Sequence, residues 1–247
     1  MPLPLAERVA LITGASRGIG YATALALARA GAHLVAVART VGGLEELDDA
    51  VRAAGGGPIT LTPLDLRDYA GIYRLAGALD ERYHRLDVLV GNAAVAGVPS
   101  PLDHIEPKAW DETMAVNVTA NWHLIRAMGP LLKRSDAGRA VFISSGVATR
   151  ARAYWAPYSV SKAALDMLVR TFAEETSSTA VRVNLFNPGP TRTRMRAMAM
   201  PGEDPTTLPV PDEVARKIVD LCLPTFSQTG KLYDFRAGKL LNYTPPA

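Results

Sequence analysis

The chain has 247 residues, of which 48% are hydrophobic and 21% are charged. These values are close to the globular average, which excludes a disordered or collagen-like protein, and the length suits one large α/β domain. The 27 basic and 24 acidic residues leave a net charge of +3, which is too small to indicate a nucleic-acid partner.

The sequence carries no signal for a membrane or an oxidising compartment. No apolar run reaches the roughly 18 residues of a membrane-spanning helix. Residues 1–8 lack a basic region ahead of a long apolar stretch, so they do not read as a signal peptide. The single cysteine, Cys222, excludes a disulfide within the chain. We therefore expect a cytoplasmic protein without a membrane partner.

Short aliphatic runs alternate with longer Ala- and Leu-rich helical patterns along the chain. In chain order, the pattern predicts strand 9–13, helix 19–30, strand 33–38, helix 44–54, strand 59–63, helix 69–83, strand 87–91, a long helix 109–133 that breaks or ends near Gly129 and Pro130, strand 140–144, helix 158–175, strand 181–186, helix 212–223 and strand 231–235. The strands are continuously apolar, which is typical of parallel strands buried on both faces.

These patterns predict one fold class and one domain. We expect a single Rossmann-type, doubly wound α/β sheet of about seven mostly parallel strands, with helices on both faces. Nothing between the elements resembles a linker, so residues 1–247 are predicted to form one dinucleotide-binding domain. Residues 188–211 lack clear periodicity, and a substrate loop is expected at about 190–211.

The first strand runs into a glycine-rich turn and then into a helix. Gly14 allows a tight turn, Gly18 lets the backbone approach a phosphate, and Gly20 lets the helix pack on the strand. The start of the helix then offers free N–H groups to a pyrophosphate. An ordinary glycine turn is the alternative, and the strand–turn–helix context favours a dinucleotide site.

The end of the second strand predicts which dinucleotide is bound. A carboxylate at this point would bind the ribose 2′-hydroxyl and select NAD, but the chain has Arg39 there. A guanidinium pairs with a 2′-phosphate, and Arg17 in the turn supplies a second donor. We therefore predict NADP(H) rather than NAD(H). The alternative for Arg39 is a solvated arginine near a helix cap.

Two further strand ends contribute candidate cofactor contacts. Asp65 follows the third strand and is a candidate for the adenine amino group, with the backbone of Leu66 beside it. A helix N-cap for the segment that starts at Asp68 is the alternative for Asp65. Asn92 follows the fourth strand, where its amide can also connect neighbouring strands.

The candidate chemistry lies on the helix after the fifth strand. Tyr158 and Lys162 are four residues apart and therefore share a helix face. A phenol has a pKa of about 10, and a nearby ammonium is expected to lower it. The lysine can also hold the nicotinamide ribose. Taken alone this pair is a weak signal, because a solvated surface pair has the same spacing.

Two polar residues strengthen the interpretation. Ser145 ends the fifth strand, so it is expected at the carboxyl edge of the sheet, where it can bond a carbonyl oxygen while Tyr158 delivers a proton. Asn117 lies in the long helix, where its side chain is expected to bend the helix and hold a water that connects Lys162 to solvent. A buried, satisfied amide is the alternative for Asn117.

Taken together, these motifs resemble the short-chain dehydrogenase/reductase family in order and spacing over nearly the whole chain. The resemblance implies NAD(P)(H)-dependent hydride transfer between an alcohol and a carbonyl, and residues 187–205 resemble the YciK-like bacterial subgroup. By matching position it implies a catalytic tetrad of Asn117, Ser145, Tyr158 and Lys162. The cofactor positions it implies are Gly14, Ser16, Arg17, Gly18, Ile19, Gly20, Arg39, Asp65, Leu66, Asn92, Tyr158, Lys162, Pro188, Gly189, Thr191 and Thr193.

The chain departs from the family pattern at two places. Gly91 stands where the family usually has a first asparagine, and residues 236–239 differ from the usual Asp-Gly-Gly ending. The resemblance also implies a homodimer or homotetramer formed through the helices near 110–133 and 158–175. A non-catalytic NADP(H) sensor, and an epimerase or dehydratase on the same fold, remain alternatives to a reductase.

The substrate is not named by the sequence. Its binding segments are expected at 95–99, 146–155 and 195–211, where Trp155 and several methionines suggest an apolar wall. The arginines of this region either meet an acidic substrate group or are simply solvated; they are Arg150, Arg152, Arg192, Arg194 and Arg196. No histidine or cysteine spacing fits a metal site, so no metal is predicted.

Overall fold

The computed structural model describes residues 3–243, and the outer ends of the predicted domain, 1–2 and 244–247, lie outside the described residues. The strands are β1 Val9–Thr13, β2 His33–Ala38, β3 Thr60–Pro63, β4 Val88–Gly91, β5 Arg139–Ile143, β6 Arg182–Asn187, β7 Leu232–Asp234 and β8 Lys239–Leu241. The helices are α1 Gly18–Arg29, α2 Val41–Ala53, α3 Tyr69–Tyr83, α4 Pro107–Met114, α5 Ala120–Lys133, α6 Ala156–Glu175, α7 Arg194–Ala199 and α8 Pro211–Cys222.

The strands form one sheet in the order β3-β2-β1-β4-β5-β6-β7-β8. Every neighbouring pair is parallel except β7 and β8, which are antiparallel. The predicted Rossmann-type fold is thus confirmed, with eight strands instead of about seven. The extra strand, β8, is short and exposed, so its sequence lacks the continuous apolar run that identified the others.

Alternate residues of each central strand pack on opposite faces of the sheet. In β1, Val9 and Leu11 belong to the core beneath α3, α5 and α6, whereas Ala10 and Ile12 belong to the core beneath α1, α2 and α8. Burial on both faces explains why the strand sequences are continuously apolar rather than alternating.

The chain reverses its direction of travel across the sheet between β1 and β4. After β3 it crosses back over β1 and β2 to begin β4 on the other side of β1. Ligands of doubly wound sheets bind in the crevice at such a switch point, outside the carboxyl ends of the strands. The topology therefore places the glycine turn after β1 and Asn92 after β4 at the mouth of one crevice.

The structure corrects two details of the sequence reading. The helix predicted to break near Gly129 and Pro130 continues to Lys133. Pro130 is exposed, and the next residues, Leu131 and Leu132, are buried in the core, so packing holds the last turn although proline lacks an N–H donor. The segment expected as an irregular loop contains α7 and a short 3₁₀ turn at Pro205–Thr207.

Among residues 3–243, no helix combines the length and the apolar character that a membrane crossing requires.

A buried carboxylate fixes the amino-terminal edge of the sheet. Asp87 accepts hydrogen bonds from the Val9 amide at 2.8 Å, the Ser135 hydroxyl at 2.6 Å and the Arg8 guanidinium at 3.1 Å. Burial raises the pKa of the Asp87 carboxyl, but the hydrogen bonds from Ser135, Val9, Arg85 and Arg8 outweigh burial and leave the pKa below its ordinary 3.8. The charged carboxylate therefore stabilises the fold above the pKa of the unfolded state, and this contribution is lost as the pH falls through the folded-state pKa.

We expect Asp87→Asn to lower the free energy of unfolding at pH 7 by roughly 2–3 kcal/mol, because buried donors lose a charged acceptor. Urea denaturation at pH 7 and at an acid pH below the folded-state pKa of Asp87 measures the effect, and the difference from wild type should shrink at the acid pH, where the native carboxyl is itself protonated. Asp136→Asn is the matched control, since Asp136 also pairs with Arg8 but is largely exposed. An equal loss at both pH values would contradict the prediction.

Candidate active site

A large cleft of about 1520 Å³ follows the carboxyl ends of the parallel strands. This volume exceeds the roughly 300–1,000 Å³ of a site for one small molecule, so the cleft has room for a dinucleotide and a second ligand. The predicted site residues that line it are Gly14, Ser16, Arg17, Gly18, Ile19, Gly20, Arg39, Asp65, Leu66, Asn92, Ser145, Tyr158, Lys162, Pro188, Gly189, Thr191 and Thr193. Asn117 lies behind the wall of the cleft.

The glycine turn has the geometry of a phosphate cradle. Gly14 and Gly18 adopt positive φ values of +69° and +59°, and a Cβ atom on Gly20 would lie 2.1 Å from the Gly14 carbonyl oxygen. Helix α1 begins at Gly18, and no side chain among residues 3–243 caps its first turn. Its N–H groups are therefore free to bind an anion, which fits the pyrophosphate of a dinucleotide.

The segment after β6 approaches the same turn from the other side. A Cβ atom on Gly18 would lie 3.4 Å from the Thr193 Cγ2 atom, so this segment passes directly beside the start of α1. Thr193 caps α7 by accepting a hydrogen bond from the Arg196 amide at 3.2 Å, and Thr191 is buried. A dinucleotide in the cleft would lie between these two segments.

The arginine predicted to select the cofactor is half-exposed at the end of β2. Arg39 lies 4.0 Å from the Asp65 carboxylate, which is held more tightly by Arg67 at 2.6 Å. The Arg67 hydrogen bond holds the pKa of the Asp65 carboxyl below its ordinary value. Asp68, not Asp65, caps α3 by accepting from the Gly71 amide at 2.9 Å. The cap alternative for Asp65 is therefore wrong, and its adenine contact stays a prediction.

Asn92 connects β1 and β4, as its amide was expected to do. Its Nδ2 atom donates to the carbonyl oxygens of Thr13 at 2.8 Å and Gly14 at 3.3 Å. The departure from the family pattern at Gly91 has a steric cause. A Cβ atom there would lie 2.3 Å from the Phe142 ring on β5, so an asparagine would require that ring to shift.

Ser145, Tyr158 and Lys162 converge at the carboxyl edge of β5. Strand β5 ends at Ile143, two residues before Ser145, and Tyr158 lies in the first turn of α6. The Lys162 ammonium is buried, donates to the Ile143 carbonyl oxygen at 2.7 Å and lies 5.6 Å from the centre of the Tyr158 ring. The fold thus brings together three of the four predicted catalytic residues within one wall of the cleft.

The electrostatics of this group differ from the expected lowering of the phenol pKa. Burial raises the pKa of Tyr158 to about 12, and the nearby Ser145 hydroxyl opposes that rise. Burial lowers the pKa of Lys162 to about 8, and the Asp166 carboxylate opposes that fall. Desolvation of the phenol is the dominant cause, so Tyr158 holds its proton at neutral pH.

Asn117 lies in a π-helical turn, and both ends of its side-chain amide are hydrogen-bonded to protein groups, so the water expected beside it stays a prediction. A π-helical turn over Ala115–Thr119 joins α4 to α5 at this residue. The Asn117 amide accepts from the Val95 amide and donates to the Val95 carbonyl, each at 2.8 Å, and donates to the Ser161 hydroxyl at 2.9 Å. The satisfied-amide alternative describes the side chain, which anchors the 95–99 segment and α6.

Sequence reasoning missed a polar cluster beneath the lysine. The buried carboxylate of Asp166 accepts from the Ser144 hydroxyl at 2.5 Å and from the Tyr243 hydroxyl at 2.6 Å. Burial raises the pKa of Asp166, whereas Ser144, Tyr243 and Lys162 lower it. The spacing of four residues from Lys162 was a visible signal for Asp166, but nothing in the sequence connected Tyr243 to the site.

Residues 3–243 contain no group of three or more His, Cys, Asp or Glu side chains placed to hold a metal ion.

Comparison with known proteins identifies the family. The family model for the short chain dehydrogenase matches residues 8–204. The chain is 38% identical over 212 residues to the uncharacterized oxidoreductase YciK of Escherichia coli K12, covering 85% of this chain and 84% of that protein. It is also 38% identical over 197 residues to the rhamnolipid-biosynthesis 3-oxoacyl-[acyl-carrier-protein] reductase of Pseudomonas aeruginosa, covering 77% and 75% of the two chains.

Solved structures agree with this assignment. A short chain dehydrogenase from Shigella flexneri 2a, crystallised with NADP, superposes with a TM-score of 0.90 at 35% identity, covering 95% of this chain and 99% of that chain. The predicted family and its YciK-like subgroup are thereby confirmed. The chain belongs to the short-chain dehydrogenase/reductase family of oxidoreductases.

Proposed function

We propose that the chain is an NADP(H)-dependent oxidoreductase that interconverts a carbonyl and a secondary alcohol of a small organic substrate. The observation that carries this proposal is the convergence of Ser145, Tyr158 and buried Lys162 on the edge that also holds the glycine turn. A cleft with a phosphate cradle at one side and a polar, proton-holding group at the other fits a redox cofactor beside its substrate.

Each residue of the group has a distinct role in this proposal. The Ser145 hydroxyl orients the substrate carbonyl and stabilises charge on its oxygen. The Tyr158 phenol donates the proton to that oxygen, and it acts as the base in the reverse oxidation. Lys162 supports the phenol electrostatically and binds the nicotinamide ribose. The bound dinucleotide supplies or accepts the hydride.

The protonation states favour reduction at neutral pH. The raised pKa of Tyr158, about 12, keeps the phenol protonated and ready to donate. Oxidation needs the phenolate and is therefore favoured at higher pH. Lys162 is mostly charged below its pKa of about 8 and can resupply a proton.

The choice of NADP(H) is supported by Arg39 and by the related structure that was crystallised with NADP. Arg39 follows β2 in the place where a carboxylate would select NAD, and it lines the cleft with about half of its side chain exposed. Arg17, at the start of α1, also lines the cleft.

We also propose self-association as a homodimer or homotetramer, on the basis of family membership. The helices expected at the interface carry large exposed apolar side chains, Trp122 on α5 and Met167 on α6. Burial of such side chains between subunits is a common source of oligomer stability.

Tyr158→Phe is expected to lower kcat/KM for NADPH-dependent reduction by about 10²–10⁴-fold, because the proton donor is removed. The Kd for NADPH should stay near the wild-type value. A panel of ketones and quinones, followed by NADPH absorbance, supplies the rates. Tyr73→Phe is the control, since Tyr73 is exposed on α3 and does not line the cleft. Wild-type turnover in Tyr158→Phe would contradict the proposal, and NADPH binding without any turnover would favour the sensor alternative.

Arg39→Gln is expected to raise the KM for NADPH by about tenfold to a hundredfold, because a charged hydrogen bond to the 2′-phosphate is lost. The KM for NADH should change little. Steady-state kinetics with both cofactors measure the difference, and Arg52→Gln, an exposed arginine paired with Asp48 on α2, is the control. Equal wild-type efficiency with NADPH and NADH would sink the assignment.

The rate of reduction should fall as the pH rises through about 8, where Lys162 loses its proton. Asp166→Asn should move this fall to lower pH, since the carboxylate supports the ammonium. Tyr243→Phe keeps the carboxylate and should leave the position of the fall unchanged. The pH dependence of kcat/KM for the three proteins tests this, and identical profiles for wild type and Asp166→Asn would show that Asp166 has only a structural role.

A further inference from the structure

We propose that the carbonyl substrate carries an anionic group, a carboxylate or a phosphate, and that Arg152 binds it. This inference rests on the proposed reductase function and names the substrate class of that site. It comes from the position of one guanidinium beside the catalytic tyrosine and from the charges that surround it.

Arg152 is held at the catalytic end of the cleft by aromatic contacts. Its guanidinium carbon lies 4.8 Å from the centre of the Trp155 ring, and the Trp155 and Tyr158 rings meet edge to face with centroids 6.1 Å apart. Stacking of this kind fixes the plane of a guanidinium and leaves its N–H donors available at the edges.

The Arg152 side chain forms no direct ion pair within the described chain. Among residues 3–243, no carboxylate lies within 4.0 Å of its guanidinium, and its hydrogen bond goes to the Met200 sulfur at 3.2 Å. A thioether is only a weak acceptor. Arg196, in the same wall, instead makes two short hydrogen bonds to Glu203 at 2.5 and 2.6 Å. Glu203 thus pairs directly with Arg196 and acts on Arg152 only at longer range, so the Arg152 N–H donors keep no carboxylate acceptor.

The surrounding charges reinforce this difference. Arg150, Arg194 and Arg236 also line the cleft, and in the described part of the chain none of them forms an ion pair. The carboxylate at this end, Asp234, already accepts from the Asn187 side chain and the Ala237 amide, each at 2.9 Å. An excess of positive charge in a cleft attracts anionic ligands and speeds their association.

The five arginines noted in the sequence of this region therefore have different roles. Arg192 is a structural residue. Its guanidinium donates to the Pro205 carbonyl oxygen at 2.8 Å and so links the two ends of the 192–209 segment. Trp155 contacts both Arg152 and Tyr158, and Met195 and Met198 also line the cleft. The arrangement suits a substrate with its carbonyl at Tyr158, a short apolar part along this wall and an anionic end at Arg152.

Matched pairs of probes that differ in charge test the inference. The pairs are pyruvate, acetoacetate and levulinate with their ethyl esters, and dihydroxyacetone phosphate with dihydroxyacetone. Two quantities are measured with wild type and Arg152→Gln: kcat/KM with NADPH, and the Kd of each probe for the protein–NADP⁺ complex. We expect wild type to prefer at least one anion over its neutral partner, and Arg152→Gln to reduce that preference by about tenfold to a hundredfold.

Arg82→Gln is the matched control, because Arg82 stacks on Tyr83 at 5.0 Å in a similar way but lies outside the cleft. The KM for NADPH should be unchanged in both variants. If neutral probes are reduced as well as their anions in every pair, the inference is overturned while the proposed function stands. If an anion binds in an Arg152-dependent way but nothing is reduced, the anion site stands and the reductase proposal fails. Neither binding nor turnover would overturn both.

Discussion

The site depends on the contact that joins the end of β1 to the end of β4. The Thr13 hydroxyl accepts hydrogen bonds from the backbone amides of Asn92 and Ala93, each at 3.1 Å, and the Asn92 side chain donates a hydrogen bond to the Thr13 carbonyl oxygen. These bonds span nearly eighty residues of sequence and hold the switch point of the sheet in register. Because parallel strands end at one edge, fixing this point also positions the segments that follow β5 and β6.

A second constraint is the burial of charge beside that edge. An ammonium removed from water needs hydrogen-bond partners and a compensating charge. Lys162 has the Ile143 carbonyl above it and the Asp166 carboxylate one turn along α6. Asp166 is held in turn by Ser144 and by Tyr243 near the end of the described chain. The carboxyl-terminal segment therefore helps to hold in place the carboxylate that lies beside Lys162.

The cleft is divided by chemistry along its length. The proposed adenosine end carries Arg39 near Asp65. The glycine turn and the start of α1 offer free N–H groups to the cleft. The proposed catalytic end carries Arg152 stacked on Trp155. Anion-binding groups at both ends, separated by small and apolar residues, fit a phosphorylated cofactor and an acidic substrate lying end to end.

The sequence by itself predicted the fold class and most element boundaries to within about three residues. Continuous apolar strands and Ala-rich helices are local patterns. A strand that is buried on both faces of a parallel sheet has a continuous apolar sequence, which can be recognised without the structure. The glycine turn, Arg39, Ser145, Tyr158 and Lys162 were found because motif spacing and strand ends are also local. All of them line the cleft.

Only the tertiary structure decided what depends on contacts between distant segments. The raised pKa of Tyr158 comes from desolvation, which no spacing of residues reveals. The difference between Arg152 and Arg196 comes from which carboxylate the folded loop brings near, and Pro130 stays helical because the leucines after it are buried. Burial and ion pairing are properties of the assembled fold. A sequence pattern can therefore indicate which residues belong to the site, but not the protonation state of each residue or whether its charge is paired.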